Sequence, residues 1–212
     1  MNKIPKFITF TGIDEHTDLM KADELAQRYP IEWGVLFSGR EVEGKFSGIN
    51  ILPDLINIAG RTSAHLCDDI SKYFQEGVLP SVFNIGYFDR VQVNGYNIDY
   101  GNFDILTDHL GVDIITQSRS MVFNVEDHMK HPIYELFDCS GGHGVFPSVV
   151  PKLPGTDKLV GYAGGIGPNN VIDYLSLIKG EGTFWIDLES QIRTGDRFDL
   201  DKVERVCRQV YG

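Results

Sequence analysis

The sequence has 212 residues, of which 42% are hydrophobic and 23% charged, a balance that excludes an intrinsically disordered chain. Lys and Arg number 19 against 30 Asp and Glu, and this net charge of −11 argues against sequence-independent binding of nucleic acids, which needs clustered basic residues. The cysteines, Cys67, Cys139 and Cys207, are odd in number and widely spaced, which indicates reduced thiols in a cytoplasmic protein. No run of about 18 apolar residues occurs, so no membrane-spanning helix is predicted.

Short runs of β-branched and aromatic residues alternate with segments of helical periodicity along the chain. The first predicted strand, Lys6–Thr11, precedes a predicted helix, Thr17–Arg28, in which Leu19, Ala22 and Leu25 recur at helical spacing. The other predicted strands are Ile31–Phe37, Thr62–Cys67, Arg90–Asn94, Asp113–Thr116, Ile133–Asp138, Leu159–Ala163 and Thr183–Leu188. The other clear helices are Asp69–Gln75, Asn170–Ile178 and Asp199–Val210, and no element is assigned to residues 39–47 or 77–87.

This alternation predicts a (β/α)8 barrel, a TIM barrel, as a single domain over residues 1–212, because eight strands use up the chain and no linker interrupts it. A doubly wound open sheet would produce the same alternation and is the alternative. In a barrel, reactive groups lie at the carboxyl ends of the strands and in the loops that follow. Polar side chains occupy those positions here: Thr11, Asp14, Arg40, His65, Cys67, Asn94, Gln117, Arg119, Asp138, His143 and Asp187.

Two glycine-rich turns follow the predicted sixth and seventh strands. Phe137–Gly144 reads FDCSGGHG and Tyr162–Val171 reads YAGGIGPNNV. Glycines at such turns accept positive φ and let backbone N–H groups approach an anion, and barrel phosphate sites use the loops after strands seven and eight. The turns therefore indicate phosphate binding, with two tight turns without a ligand as the alternative. No zinc-ligand spacing, Walker loop or dinucleotide-binding pattern occurs, so neither a metal nor a cofactor is predicted.

Five segments, taken in order, resemble the phosphoribosylanthranilate isomerase family. They are FTGID (Phe10–Asp14), VQVNG (Val91–Gly95), Asp138 before GGHG (Gly141–Gly144), YAGGIGPNNV (Tyr162–Val171) and IDLESQIR (Ile186–Arg193). The family patterns are Lys-Ile-Cys-Gly-Ile-Thr, Val-Gln-Leu-His-Gly, Asp before Gly-Gly-Thr-Gly, Leu-Ala-Gly-Gly-Leu-x-Pro-x-Asn-Val and Val-Asp-x-Ser-Ser-Gly-Val-Glu. The resemblance implies a barrel of the ribulose-phosphate-binding type and an Amadori rearrangement, in which an Asp protonates the ring oxygen and a Cys removes a proton.

Two positions depart from the family pattern. Asp138 falls on the position of the general acid, but Thr11 stands where the family has the Cys, and a threonine hydroxyl is too weak an acid to act as a base near neutral pH. Glu189 begins the segment that replaces the phosphate-binding Ser-Ser-Gly, and its carboxylate would repel a phosphate unless Arg119 or Arg193 offset it. The resemblance also implies that Arg40 contacts a substrate carboxylate.

The candidates for a replacement base are His143, His65, Cys67 and Cys139, since an imidazole or a thiol titrates closer to neutral pH than a hydroxyl. The assigned catalytic residues are therefore Asp138, His143, His65 and Thr11. Those assigned to substrate are Arg40, Asn94, Arg119 and Asp187, and those assigned to phosphate are Gly141, Gly142, Gly164, Gly165 and Ser190.

Two functions follow as hypotheses. The first is a divergent isomerase, epimerase or lyase that acts on a small phosphorylated or carboxylated metabolite. The second is a non-catalytic barrel that binds an anion and has lost the reaction of its relatives. Both predict a cytoplasmic protein that binds neither nucleic acid nor membrane, and a homodimer is left open.

Overall fold

The structure, a computed structural model, describes residues 3–38, 48–55, 57–78, 85–95, 97–124, 133–141 and 143–212. Eight parallel strands form a closed barrel in chain order, with β1 paired to both β2 and β8. The strands are β1 (Ile8–Thr11), β2 (Ile31–Phe37), β3 (Arg61–Leu66), β4 (Arg90–Val93), β5 (Asp113–Ser118), β6 (Ile133–Phe137), β7 (Val160–Tyr162) and β8 (Phe184–Leu188). The predicted TIM barrel is confirmed, and the open-sheet alternative is wrong because the sheet closes between its first and last strands.

The helices that follow the strands cover the outside of the barrel. They are α1 (Leu19–Arg28), α2 (Gly48–Leu55), α3 (Asp68–Gln75), α4 (Phe103–Leu110), α5 (Val171–Leu177) and α6 (Leu200–Tyr211). Asp18 caps α1 by accepting a hydrogen bond from the N–H of Lys21, and Asp199 caps α6 in the same way through Asp201 and Lys202. None of the helices in the described ranges is long and apolar enough to cross a membrane.

Two helices and a hairpin were not predicted from the sequence. Helix α2 begins at a glycine and contains Pro53, both of which disfavour a helix in the sequence, and α4 is an eight-residue helix that is capped at its carboxyl end by Gly111. After β8, the short strands β9 (Arg193–Thr194) and β10 (Arg197–Phe198) form an antiparallel hairpin. A short 3₁₀ helix, Ile85–Tyr87, lies in the segment left unassigned at 77–87, and residues 39–47 lie outside the described ranges.

The amino-terminal end of the barrel interior is filled by a buried ion pair. The Arg90 guanidinium donates to both carboxylate oxygens of Glu32, at 2.8 and 2.5 Å, and both side chains are at most 1% exposed. The same guanidinium lies 4.3 Å from the ring centre of Trp185 and 4.8 Å from that of Phe7. Burial alone raises the pKa of Glu32, but the charge and hydrogen bonds of Arg90 outweigh burial and lower it. Glu32 is therefore a carboxylate, and the layer closes this end of the barrel.

Candidate functional site

A cavity of about 590 Å³ opens at the carboxyl end of the barrel. Asp138 and His65, on opposite sides of the barrel, both line it. The other residues assigned from the sequence that line it are Asn94, Gly141, Gly164, Gly165, Asp187 and Ser190. The structure therefore brings most of the assigned residues to one place.

Several assigned residues lie elsewhere. His143 is exposed on the turn after β6 and Arg119 is exposed after β5, and neither lines the cavity. Arg193 donates a 3.0 Å hydrogen bond to the carbonyl of Gly12 and lies 3.5 Å from the Asp14 carboxylate, so it is paired near β1 and does not offset Glu189. The assigned residues Arg40 and Gly142 lie outside the described residues.

Thr11 is buried behind the cavity and contacts Asp187. Its hydroxyl donates a 2.7 Å hydrogen bond to Oδ1 of Asp187, and His65 Nδ1 lies 4.0 Å from Oδ2 of the same carboxyl. Gly34 lies between them on β2, where a Cβ would stand 2.5 Å from Thr11 Oγ1 and 3.0 Å from His65 Nε2. Ser63 Oγ lies 2.9 Å from His65 Nε2 and holds the ring in place. Thr11 therefore orients Asp187 and does not face a ligand itself.

Burial changes the protonation of this cluster. It raises the pKa of Asp187 to about 8, with further increases from the charges of Glu189, Glu32 and Asp138, while the Thr11 hydrogen bond lowers it. Burial lowers the pKa of His65 to about 4. Near neutral pH the imidazole is neutral and Asp187 mostly keeps its proton, so their 4.0 Å contact is not an ion pair.

Asp138 presents the second carboxyl group to the cavity. It is 4% exposed, and its Oδ1 accepts hydrogen bonds from the N–H and the hydroxyl of Ser140, at 2.9 and 2.8 Å. A Cβ on Gly164 would lie 3.7 Å from the same oxygen, so the carboxyl lies beside the glycine turn after β7. Burial and the charge of Asp138 raise the pKa of Cys139, which argues against a thiolate there.

The turn after β7 packs closely against the loop after β6. Gly164 and Gly165 have φ of +111° and +60°, and a Cβ on Gly165 would stand 2.5 Å from the carbonyl oxygen of Gly144. The Asn170 side chain accepts from the N–H of Gly167 and donates to the carbonyl of Gly165, both at 2.8 Å. No described residue accepts a hydrogen bond from the N–H of Gly164 or Gly165. These two amides thus keep their donor capacity at the cavity wall.

The wall formed by β3, β4 and β5 carries side-chain amides. Arg90 and Gln92, two residues apart on β4, both point into the barrel interior, and Gln92 lines the cavity with Asn94 and Gln117. Gln92 was not assigned from the sequence, although the alternation of Arg90 and Gln92 with Val91 and Val93 was visible there. It is 2% exposed, and its Oε1 has no hydrogen-bond partner among the described residues.

The described part of the cavity lining is acidic. Lys72 is its basic side chain; it is 71% exposed, and its Nζ lies 3.2 Å from Asp69. The acidic residues of the lining are Asp68, Asp138, Asp187 and Glu189. Within the described ranges, the groups suited to an anion are therefore backbone amides rather than cations.

No protein-family model matches the sequence, and no curated protein does. The structure is similar to that of a monomeric form of the dimeric phosphoribosylanthranilate isomerase of Thermotoga maritima, with a TM-score of 0.61 and 11% identity over 99% of this chain and 100% of that one. It is also similar to a chain in the structure of the tryptophan synthase α2β2 complex of Pyrococcus furiosus, with a TM-score of 0.53 and 13% identity over 97% of each chain. A mutant α-subunit from the same organism gives a TM-score of 0.53 and 13% identity over 97% of this chain and 98% of that one. Because the identities are so low, what the chain shares with these proteins is the TIM-barrel fold.

Proposed function

We propose that this chain is an enzyme that moves protons on a small phosphorylated sugar derivative, in an isomerase, epimerase or lyase reaction. The observation that carries the proposal is the pair of carboxyl groups, Asp138 and Asp187, that line one cavity from different surroundings. Reactions that shift a proton between adjacent atoms need an acid and a base, and two carboxyl groups in unlike environments can divide these roles.

Asp138 is proposed as the general acid and Asp187 as the general base. The resemblance gives Asp138 the acid role. Asp187 replaces the base that Thr11 cannot supply, because a carboxyl group with a pKa of about 8 is a stronger base than an ordinary carboxylate and is partly ionised near neutral pH. In the reaction, Asp187 in its ionised form would take a proton from carbon while Asp138, entering the step with a proton, delivers that proton to oxygen, and each carboxyl would regain its starting form by proton exchange with solvent. His65, neutral and held by Ser63, would position Asp187.

The phosphate would lie at the turn after β7. The amides of Gly164 and Gly165 supply donors, which would have to outweigh the repulsion of the Glu189 carboxylate in the same lining, and Ser190 and Gly141 line the cavity as well. An isomerase with this fold acts, by its name, on phosphoribosylanthranilate, a phosphorylated sugar derivative. This likeness supports the class of substrate and does not select one member of it.

The second candidate is a barrel that binds the phosphate without chemistry. The observation that favours it is Thr11, which leaves the family's Cys position without a base and faces Asp187 rather than the cavity.

Solvent exchange separates the two functions. The protein is incubated in D2O with D-ribose 5-phosphate, D-ribulose 5-phosphate and phosphoribosylanthranilate, and carbon-bound deuterium is followed by NMR. The enzyme incorporates deuterium into at least one sugar, and Asp138→Asn and Asp187→Asn each abolish this while the exposed helical control Asp173→Asn does not. Phosphate binding with no exchange in the wild type would establish the binding barrel instead.

A further inference from the structure

The structure assigns a subsite for an uncharged hydroxyl or amide group of the ligand to the amide wall, defined as Gln92, Asn94 and Gln117. The inference rests on the proposed function and deepens it, because it names a second part of the substrate besides the phosphate. It starts from the Oε1 atom of Gln92, which is buried and lacks a partner among the described residues. A buried acceptor without a partner is rare in folded proteins and is commonly explained by a missing ligand or water.

A chain of hydrogen bonds determines which atom of the Gln92 amide has no hydrogen-bond partner among the described residues. The Cys67 thiol donates to the carbonyl of His65 at 3.9 Å, and its Sγ accepts from Asn94 Nδ2 at 3.0 Å. Asn94 Oδ1 in turn accepts from Gln92 Nε2 at 2.9 Å. Because each group in the chain donates in the same direction, the Gln92 carbonyl is the atom that remains for a ligand.

Gln117, on the neighbouring strand, offers the complementary group. Its Oε1 accepts from the N–H of Gly95 at 3.1 Å, and nothing in the described ranges accepts from its Nε2. The wall therefore presents one acceptor, on Gln92, and one donor, on Gln117. A hydroxyl or a carboxamide can satisfy both, whereas an ammonium group cannot accept and a carboxylate cannot donate.

Charge also argues against an anion at this wall. Asp68, Asp138 and Glu189 line the same cavity, and Lys72 lies beside Asp69, 71% exposed. A ligand that carries one anionic group at the glycine turn would thus turn its neutral, hydroxyl-bearing part toward Gln92. A sugar phosphate has this division of charge within one molecule.

The test compares Gln92→Met with a matched control, Gln75→Met. Gln75 lines the same cavity, but both ends of its amide are already used: Nε2 donates to the Ser71 carbonyl at 3.2 Å and Oε1 accepts from the Asp99 N–H at 2.9 Å. The probes are inorganic phosphate, D-ribose 5-phosphate and ribitol, which has the hydroxyls without the phosphate. Affinities are measured by NMR titration and Tm by calorimetry.

For Gln92→Met we expect about tenfold weaker binding of D-ribose 5-phosphate and ribitol, the loss typical of one hydrogen bond, with phosphate binding retained and, because the bond to Asn94 is lost as well, a Tm lower by roughly 2–4 °C. For Gln75→Met we expect unchanged affinities and a Tm lower by roughly 2–4 °C. The subsite is wrong if the wild type binds neither sugar, or if Gln92→Met binds both as the wild type does. If ribitol binding depends on Gln92 but the wild type does not bind inorganic phosphate, the phosphate assignment fails and the subsite stands.

Discussion

The Thr11 hydroxyl donates a 2.7 Å hydrogen bond to Asp187 across 176 positions of sequence. This bond lowers the pKa of a carboxyl group that burial otherwise raises. Thr11 thus stands where the sequence resemblance implies a Cys, and its hydroxyl contacts Asp187 on the neighbouring strand β8. Its role is to position Asp187 and to set its acidity.

Replacing Thr11 with Val should therefore raise the pKa of Asp187, since it removes the bond that favours the ionised form. Because a hydrogen bond contributes ~1 kcal/mol, its loss should raise the pKa of Asp187 by roughly one unit. Carboxyl ¹³C NMR of Asp187 measures the change, and Thr11→Ser, which keeps the hydroxyl, serves as the control. Identical titrations of wild type and Thr11→Val would show that the bond does not tune Asp187.

The stability of the protein should depend on pH through Asp187. Its pKa in the folded protein is about 8 against 3.8 for an ordinary Asp, so the folded state holds a proton that the unfolded state releases. This contribution is fully present below pH 3.8 and is lost as pH rises toward 8. As the pH rises from 6.5 to 8, the free energy of unfolding of the wild type should fall more steeply than that of Asp187→Asn. The two slopes should differ by up to about 1.4 kcal/mol per pH unit.

Urea unfolding across this range gives the comparison. His65 acts in the opposite direction at lower pH, because its pKa of about 4 makes the folded state resist protonation and lose stability as pH falls from 6.5. Measurements above pH 6.5 separate the two groups. Parallel curves for Asp187→Asn and the wild type there would mean that Asp187 titrates normally.

Much of the architecture was accessible from the sequence because each strand is a short buried run bounded by turn residues, as in IEWGVLF of β2. The chemistry of the site was less accessible. Whether Thr11 faces a ligand or Asp187 depends on closing β1 against β8 and on a glycine at position 34, neither of which the neighbours of Thr11 in the sequence reveal. The burial that raises the pKa of Asp187 is likewise a property of the closed barrel.

The substitution Gly165→Ala should push apart the loop after β6 and the turn after β7. Its Cβ would stand 2.5 Å from the Gly144 carbonyl and 2.8 Å from the Phe146 N–H, both backbone atoms that cannot rotate away. We expect a loss of about 2–4 kcal/mol in the free energy of unfolding and at least tenfold weaker phosphate binding. Gly155→Ala is the control, since that residue has a φ of +74° but no atom within 4 Å of the added Cβ.

In urea unfolding, Gly155→Ala should lose only the roughly 1–2 kcal/mol of a strained φ and bind phosphate as the wild type does. Equal losses of stability in the two variants would show that the loops are not held together at Gly165.

The buried pair of Glu32 and Arg90 should respond differently to single and double replacement. Arg90→Met leaves the Glu32 carboxylate buried without its main partner, which should cost about 3–5 kcal/mol in unfolding free energy. Adding Glu32→Leu removes the stranded charge and should recover most of the loss. A double-mutant cycle, measured by urea unfolding, gives the coupling energy between Glu32 and Arg90. If the losses of the two single variants simply add in the double variant, the two side chains are not coupled.

That ion pair has a consequence for turnover. Because Arg90, Glu32, Phe7 and Trp185 seal the amino-terminal end, the described barrel offers no second exit below the cavity. Substrate would enter and product would leave by the same mouth, so each occupies the passage that the other needs. For the proposed enzyme, product inhibition competitive with substrate is then the expected kinetic pattern, because substrate and product compete for the one cavity at the carboxyl end of the described barrel.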